Sequence, residues 1–286
     1  MTSETVYNIS ELSSLTGINS ITLRAWERRY GLLRPERTPK GHRIYREHDI
    51  KLIREIRFWL EKGIAISKVK HYLANMHQEV SAEPHRFDEA ITKMLSAASH
   101  FDSVELSSCI DEVFSLYPMD IIAEQFLPAL EKTMNDYSLV SKAPHAEYSY
   151  LTIELKQRLR HFVDSQKSPK IKAKILLVKT EYPYDRLDLL LLAAMLCNYN
   201  YRCIVIEVPI EFVEVPTIMK ESRSEGVILF SNHTGPSIAA AQNLHQTLGS
   251  KLLVISELPG RWSAVNTISV CEKKLNPVLK WLNSLA

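Results

Sequence analysis

Glycine is scarce in this 286-residue chain, at 8 positions, and there is no low-complexity tract, so neither a flexible repeat nor a disordered tail accounts for its length. The four cysteines, Cys109, Cys197, Cys203 and Cys271, are scattered without a CxxC pair. That spacing speaks against structural zinc and a disulfide framework and leaves isolated thiols. No window approaches the roughly 18 consecutive apolar residues of a membrane span. The opening MTSETVYNIS carries neither a basic nor an apolar segment, so the expectation is no signal peptide, a cytoplasmic location and no membrane partner. Also absent are GxSxG, HExxH, a Walker loop and a GxGxxG after a strand, so the chain is not expected to be an enzyme.

What is present is 45% hydrophobic and 24% charged residues, the composition of a soluble globular protein. The net charge of +2 is unevenly spread. Residues 1–80 hold 14 Lys and Arg against 9 Asp and Glu, a surplus of +5, so the remainder carries −3. A basic head on a mildly acidic body suggests that the head meets a polyanion.

Periodicity divides the chain into three parts, expected as domains at 1–78, 86–166 and 170–286. In the first, Ser10 is expected to cap a short helix with Leu12 and Leu15 inward and Gly17 as its stop. Ser20 is expected to cap a second helix, Ile21 to Tyr30, with Ile21, Ala25 and Trp26 on its apolar face and Trp26 packed on Leu12, Leu15 and Ile53. Pro35, Pro39 and Gly41 followed by HRIY predict a hairpin wing. Two further helices follow, at Asp49–Lys62 and Ser67–Asn75. In the second part, Phe87, Ile91, Met94 and Leu95, then Leu106, Ile110 and Val113, then Ile121, Ile122, Phe126 and Leu130 recur at helical spacing. With the long helix Ala146–Phe162 they predict a four-helix bundle. In the third, the runs AKILLV, YRCIVIEV, GVILFS, KLLVIS and NTISVC alternate with helical patterns. Continuous apolar runs suit strands covered on both faces, and regular βα alternation predicts a doubly wound parallel sheet in the flavodoxin-like order. The fold class is thus multidomain, α and α/β.

The first part has the residues to read DNA. Ser20, Thr22, Leu23, Arg24, Arg28, Arg29 and Tyr30 belong to the helix that would enter the major groove, with Thr22 and Arg24 near its N-terminal end. Arg can bond guanine O6 and N7 in a bidentate manner. Arg28 and Arg29 lie a turn further on and suit the backbone. Arg37, Thr38, Lys40, His42, Arg43, Tyr45 and Arg46 give the wing the cations and hydroxyls of phosphate contact.

The run TLRAWERRYGLLRPERTPKGHRIY (Thr22–Tyr45) resembles the MerR-family signature of helix, turn and wing. Its RAWERRYG version, with Trp in place of Tyr, resembles the branch whose C-terminal half is a cobalamin-binding-like domain, which includes the CarH/LitR-type light-sensing repressors and MlrA-type regulators. The resemblance implies a winged helix-turn-helix, a helical bundle and a flavodoxin-like domain. It also implies a homodimer on pseudo-palindromic promoter DNA, with RNA polymerase or a signalling protein as a further partner.

Cobalamin-binding members of that branch carry D/E-x-H-x-x-G after the first strand, the His ligating cobalt, and an E-H pair on the last bundle helix. Here the His position falls on Asp185 and the Gly position on Asp188, while Glu147-Tyr148 stands where the pair would be. No histidine occurs between His161 and His233. A carboxylate is a poor substitute for imidazole on a corrin cobalt, so no cofactor is expected. Asp185 and Asp188 read as first-turn residues that complement a helix dipole. Candidate pocket residues for another ligand are Glu147 and Tyr148, with Glu181, Asp185, Ser231, Asn232, His233, Thr234, Ser256 and Glu257 at the strand ends. Two alternatives stand beside this reading. One is a cobalamin-dependent light-sensing repressor with a non-standard ligand, the other an interaction module that docks a signalling enzyme.

Overall fold

The computed structural model describes residues 5–74, 86–165, 171–180, 187–231, 237–256, 266–269 and 275–285. They form two compact units, Met1–Arg158 and Leu159–Ala286.

In the first unit, helix α1 (Ile9–Thr16) is capped by Asn8 rather than by Ser10. The Asn8 side-chain oxygen accepts from the Ser10 and Glu11 amides at 2.9 and 3.0 Å, and Glu11 returns a bond to the Asn8 amide at 2.9 Å. That reciprocal box satisfies more orphan donors than a serine two residues later could. Helix α2 (Ser20–Ala25) likewise starts from Asn19, whose Oδ1 accepts from the Thr22 amide at 2.8 Å, and not from Ser20. It runs without a break into a π-helical turn, Trp26–Tyr30. Gly31 ends the turn at φ 58°, a left-handed conformation that favours glycine. Strands β1 (Glu36–Arg37) and β2 (Arg43–Ile44) pair antiparallel as the wing, and its tip turns through Gly41 at φ 82°. Helices α3 (Glu47–Glu61) and α4 (Ile66–Ala74) follow.

Leu12, Leu23, Trp26, Ile53, Ile56 and Leu60 are buried at the centre of this head. Leu15 and Ile21 are not: they are 53% and 56% exposed, contrary to the inward faces expected of them. For Ile21 the reason is geometric, since Thr22, Leu23, Ala25 and Trp26 fill the arc that turns inward and leave Ile21 on the other side.

Helices α5 (Asp88–Ser99), α6 (Ser103–Leu116), the run formed by α7 (Met119–Ile121), a π turn (Ile122–Phe126) and α8 (Leu127–Ser138), and α9 (Pro144–Ser165) make the bundle. All of the apolar residues picked out for it by helical spacing, from Phe87 to Leu130, are buried. Head and bundle share the first unit and are fastened together. The indole Nε1 of Trp26 donates to the Leu116 carbonyl at 2.8 Å. Arg57 of α3 pairs with Asp120, and Arg29 pairs with Glu112 of α6 at 3.4 Å. Arg86 donates to the Leu60 and Ile64 carbonyls at 2.6 and 3.3 Å, which caps the C-terminal end of α3.

The second unit is the parallel sheet. It is built from β3 (Lys174–Lys179), α10 (Asp188–Asn198), β4 (Arg202–Ile206), α11 (Val215–Ser222), β5 (Gly226–Phe230), α12 (Ser237–Leu248), β6 (Leu252–Ser256), β7 (Asn266–Ser269) and α13 (Leu275–Asn283). The strand order is β4-β3-β5-β6-β7, all parallel, which is the flavodoxin-like order that the alternation predicts. Leu176, Val178, Val227, Leu229 and Val254 pack on one face against Phe212, Val215, Met219 and Leu244. Their neighbours Ile175, Leu177, Ile228, Leu253 and Ile255 are buried as well, so the central strands are covered on both sides. Two of the supposedly isolated thiols meet in this unit. Cys197 at the end of α10 and Cys203 in β4 are neighbours, and the Cys197 thiol together with burial pushes the Cys203 thiol well up.

Gly226 begins β5 under α13. A Cβ there would lie 2.8 Å from the Leu285 side chain and 2.9 Å from the Trp281 ring. The ring is not free to swing away, because its Nε1 bonds to the Ser250 carbonyl at 2.9 Å. Gly226→Ala is therefore expected to cost the second unit about 1–3 kcal/mol by overpacking. Chemical denaturation would show this as an earlier midpoint, and an unchanged midpoint would mean that α13 shifts freely.

Candidate nucleic-acid interface

The α2 helix and its π turn present one polar face. Residues Ile21, Arg24 and Arg28 follow each other at spacings of three and four, and all three are exposed. Neither Arg24 nor Arg28 has an ion pair or hydrogen bond among the described residues. Thr22 and Arg24 cannot share this face, because residues two apart lie about 200° round a helix. Thr22, Leu23 and Tyr45 are each 0% exposed, so these three expected contacts are out of reach of a groove. Among the described residues the Thr22 hydroxyl and the Tyr45 phenol are buried without a hydrogen-bond partner, and burial first, then Glu27, pushes the Tyr45 phenol up to about 12. Tyr45 instead roots the wing: its backbone exchanges hydrogen bonds with Tyr7 at 2.8 and 2.9 Å.

The remaining helix residues are intermediate cases. Ser20 and Tyr30 are half-buried, and burial raises the Tyr30 phenol. Arg29 is drawn to Glu112. In the wing, Arg37, Lys40 and His42 are exposed, and Thr38 is half-buried. The tip is closed by Thr38, whose amide donates to the His42 carbonyl at 2.9 Å and whose hydroxyl accepts from the His42 amide at 3.1 Å. Arg46 is engaged by Glu36 at 2.9 Å. Arg43, expected to meet phosphate, is spent on Glu27: its Nε reaches Oε2 at 2.6 Å and its Nη2 reaches Oε1 at 3.2 Å. Sequence reading passed over Glu27. The signal was there, a lone carboxylate among the arginines of RAWERRY.

Residues 7–76 match the MerR HTH family of regulatory proteins. They form a MerR-type helix-turn-helix domain. The chain is 51% identical over 75 residues to the HTH-type transcriptional regulator MlrA of Escherichia coli, a stretch covering 26% of this chain and 31% of that protein. It is 32% identical over 139 residues to the HTH-type transcriptional repressor CarH of Myxococcus xanthus, covering 44% of this chain and 46% of CarH. Against the HTH-type transcriptional repressor CarA of the same organism it is 26% identical over 159 residues, 55% of this chain and 52% of CarA. The matched stretches thus span between about a third and a half of these relatives. Those with CarH and CarA are longer than the MerR domain itself and take in residues outside it.

Outside the MerR domain, Glu147 is buried and Tyr148 is 49% exposed. Both line a cavity of about 490 Å³ with Leu95, Ala98, Met134 and His145. One carboxylate oxygen of Glu147 accepts from the Ser141 hydroxyl at 2.8 Å, and the other is buried without a hydrogen-bond partner among the described residues. At the strand ends, Ser231 and Ser256 are buried, and the Thr180 hydroxyl donates to that of Ser231 at 3.1 Å. Asp188 opens α10 and is half-buried. Glu181, Asp185, Asn232, His233, Thr234, Glu257 and Cys271 lie outside the described residues. Among the described residues no helix is long and apolar enough to cross a membrane.

Proposed function

We propose that this chain is a sequence-specific DNA-binding transcription regulator that acts as a homodimer on promoter DNA and has no enzymatic role. Residues 1–78 bind DNA, and the bundle (86–166) and sheet domain (170–286) receive a signal or dock a partner protein. The observation that carries this reading is the Arg24–Arg28 face of a MerR-type domain, free of ion pairs and hydrogen bonds among the described residues and accompanied by the exposed wing cations Lys40 and His42. Free guanidiniums on a helix of groove-reading type suit base edges, and wing cations suit phosphates. Selection of duplexes from a random library by the full chain tests it. Enrichment of a two-fold related motif is expected, and a bound pool that keeps the input composition would refute it.

The signal, on this reading, is not His-ligated cobalamin. Support comes from the donor set. A carboxylate, Asp185, stands where an imidazole would be needed, and a half-exposed phenol, Tyr148, stands beside a Glu147 already engaged by Ser141. These residues do not suit a corrin cobalt. After incubation with adenosylcobalamin and gel filtration, the protein is expected to show no corrin absorption. A stoichiometric corrin spectrum would overturn this part and favour the photoreceptor alternative.

A further inference from the structure

Glu27 is the only carboxylate between Ser20 and Leu33, and it sits beside a face meant for a polyanion. Simple electrostatics would remove it. Its contacts give it a structural role. The side chain is 17% exposed and receives guanidiniums from both strands of the wing. Arg43 of β2 forks onto it at 2.6 and 3.2 Å, the geometry of a bidentate Arg–carboxylate pair. Arg37 of β1 reaches the same carboxylate at 3.5 Å with Nη2, while its Nη1 donates to the Gly41 carbonyl at 3.2 Å. A chain of contacts therefore runs from the helix through Arg37 to the wing tip. The two strands have two residues each, paired Glu36 to Ile44 and Arg37 to Arg43, too few to hold a hairpin in place alone. The Tyr7–Tyr45 bonds fix only the root of the wing.

We infer that Glu27 is a positioning residue for DNA binding: it fixes the wing, and with it Lys40 and His42, relative to the Arg24–Arg28 face. This rests on the proposed DNA-binding role of the head. It makes a prediction opposite in sign to charge alone. Glu27→Gln removes a negative charge and releases two guanidiniums, so if charge decides, binding tightens and its salt dependence steepens. If position decides, binding to the preferred site weakens.

The test uses the full chain, a duplex selected by the unaltered protein and a random duplex, with affinities read by fluorescence anisotropy. Glu27→Gln is expected to weaken binding to the selected duplex about tenfold, equivalent to ~1.4 kcal/mol, and to leave random-duplex binding within about twofold. In the free protein, hydrogen exchange of residues 36–46 should speed up while α3 keeps its protection. Equal or tighter binding to the selected duplex, or unchanged exchange in the wing, overturns the inference. Should Glu27→Gln unfold the head, seen as loss of α3 protection, Arg37→Gln cuts only the link to the tip. Exchange at Lys40 to His42 must then rise, and unchanged exchange there counts against the inference. If the unaltered chain selects no sequence, the DNA-binding reading falls and this inference falls with it.

Discussion

Trp26→Phe is expected to destabilise the first unit by about 1–3 kcal/mol, and Trp26→Ala by about 3–5 kcal/mol. The two figures have different sources. Alanine empties the site of one of the largest fully buried side chains in the protein. Phenylalanine keeps most of the ring and removes only the indole N–H, which lies 2.8 Å from the Leu116 carbonyl. That carbonyl belongs to the last residue of α6, and Pro118 follows two residues later, so no continuing helix can supply a donor. The buried acceptor would be left unpaired. Denaturant titration of the full chain, followed by a probe confined to residues 1–158, measures both variants. A phenylalanine variant as stable as the parent would mean that the indole serves only as bulk in the head and that the bond to the bundle adds nothing. The Trp that sets the RAWERRYG version apart thus has a structural account: it ties the π turn that continues α2 to α6 of the bundle.

The second large effect is on DNA. Arg24→Ala is expected to weaken binding to a selected duplex by about 1–3 kcal/mol while changing random-duplex binding much less. Arg24 is exposed in the last turn of α2 and has no competing ion pair among the described residues. Arg28, four residues on and on the same exposed face, is expected to behave alike, although its sequence position alone suggests the backbone. Anisotropy titrations on both duplexes decide the matter. Equal losses on the two would demote Arg24 to a phosphate contact. Arg43 gives a contrast: its guanidinium is held by Glu27, so its removal acts through the wing rather than through a lost phosphate bond.

Much of this was legible in the chain itself. The buried residues of the bundle follow helical spacing closely, because an amphipathic helix can cover a core in only one phase. The parallel character of the sheet follows from strict βα alternation, and its order, β4-β3-β5-β6-β7, is the flavodoxin-like one expected for five such units. What escaped was local. Sequence alone points to Ser10 and Ser20 as caps, whereas Asn8 and Asn19 do the capping. Both pairs are good capping types, and only the backbone geometry of the residue in front distinguishes them. Polarity alone groups Thr22 with Arg24, yet helical phase sets them on opposite sides and buries the threonine. Glu27 stands out in the sequence as a lone acid among arginines, but its role does not, because its partners, Arg37 and Arg43, are ten and more residues away and come near only when the wing folds back. The approach of Cys197 to Cys203 depends in the same way on α10 packing beside β4. Candidate pocket residues at the strand ends, by contrast, fall mostly outside the described residues.

The central claim is that residues 7–76 read DNA through the exposed Arg24–Arg28 face. Genome-wide mapping of sites occupied by the full chain, beside a variant with Arg24→Ala and Arg28→Ala, tests it most directly. The account predicts discrete promoter sites for the unaltered protein that vanish in the double variant, with the variant still folded. Discrete sites that survive the double substitution, or an unaltered protein whose bound DNA matches the input, would contradict it.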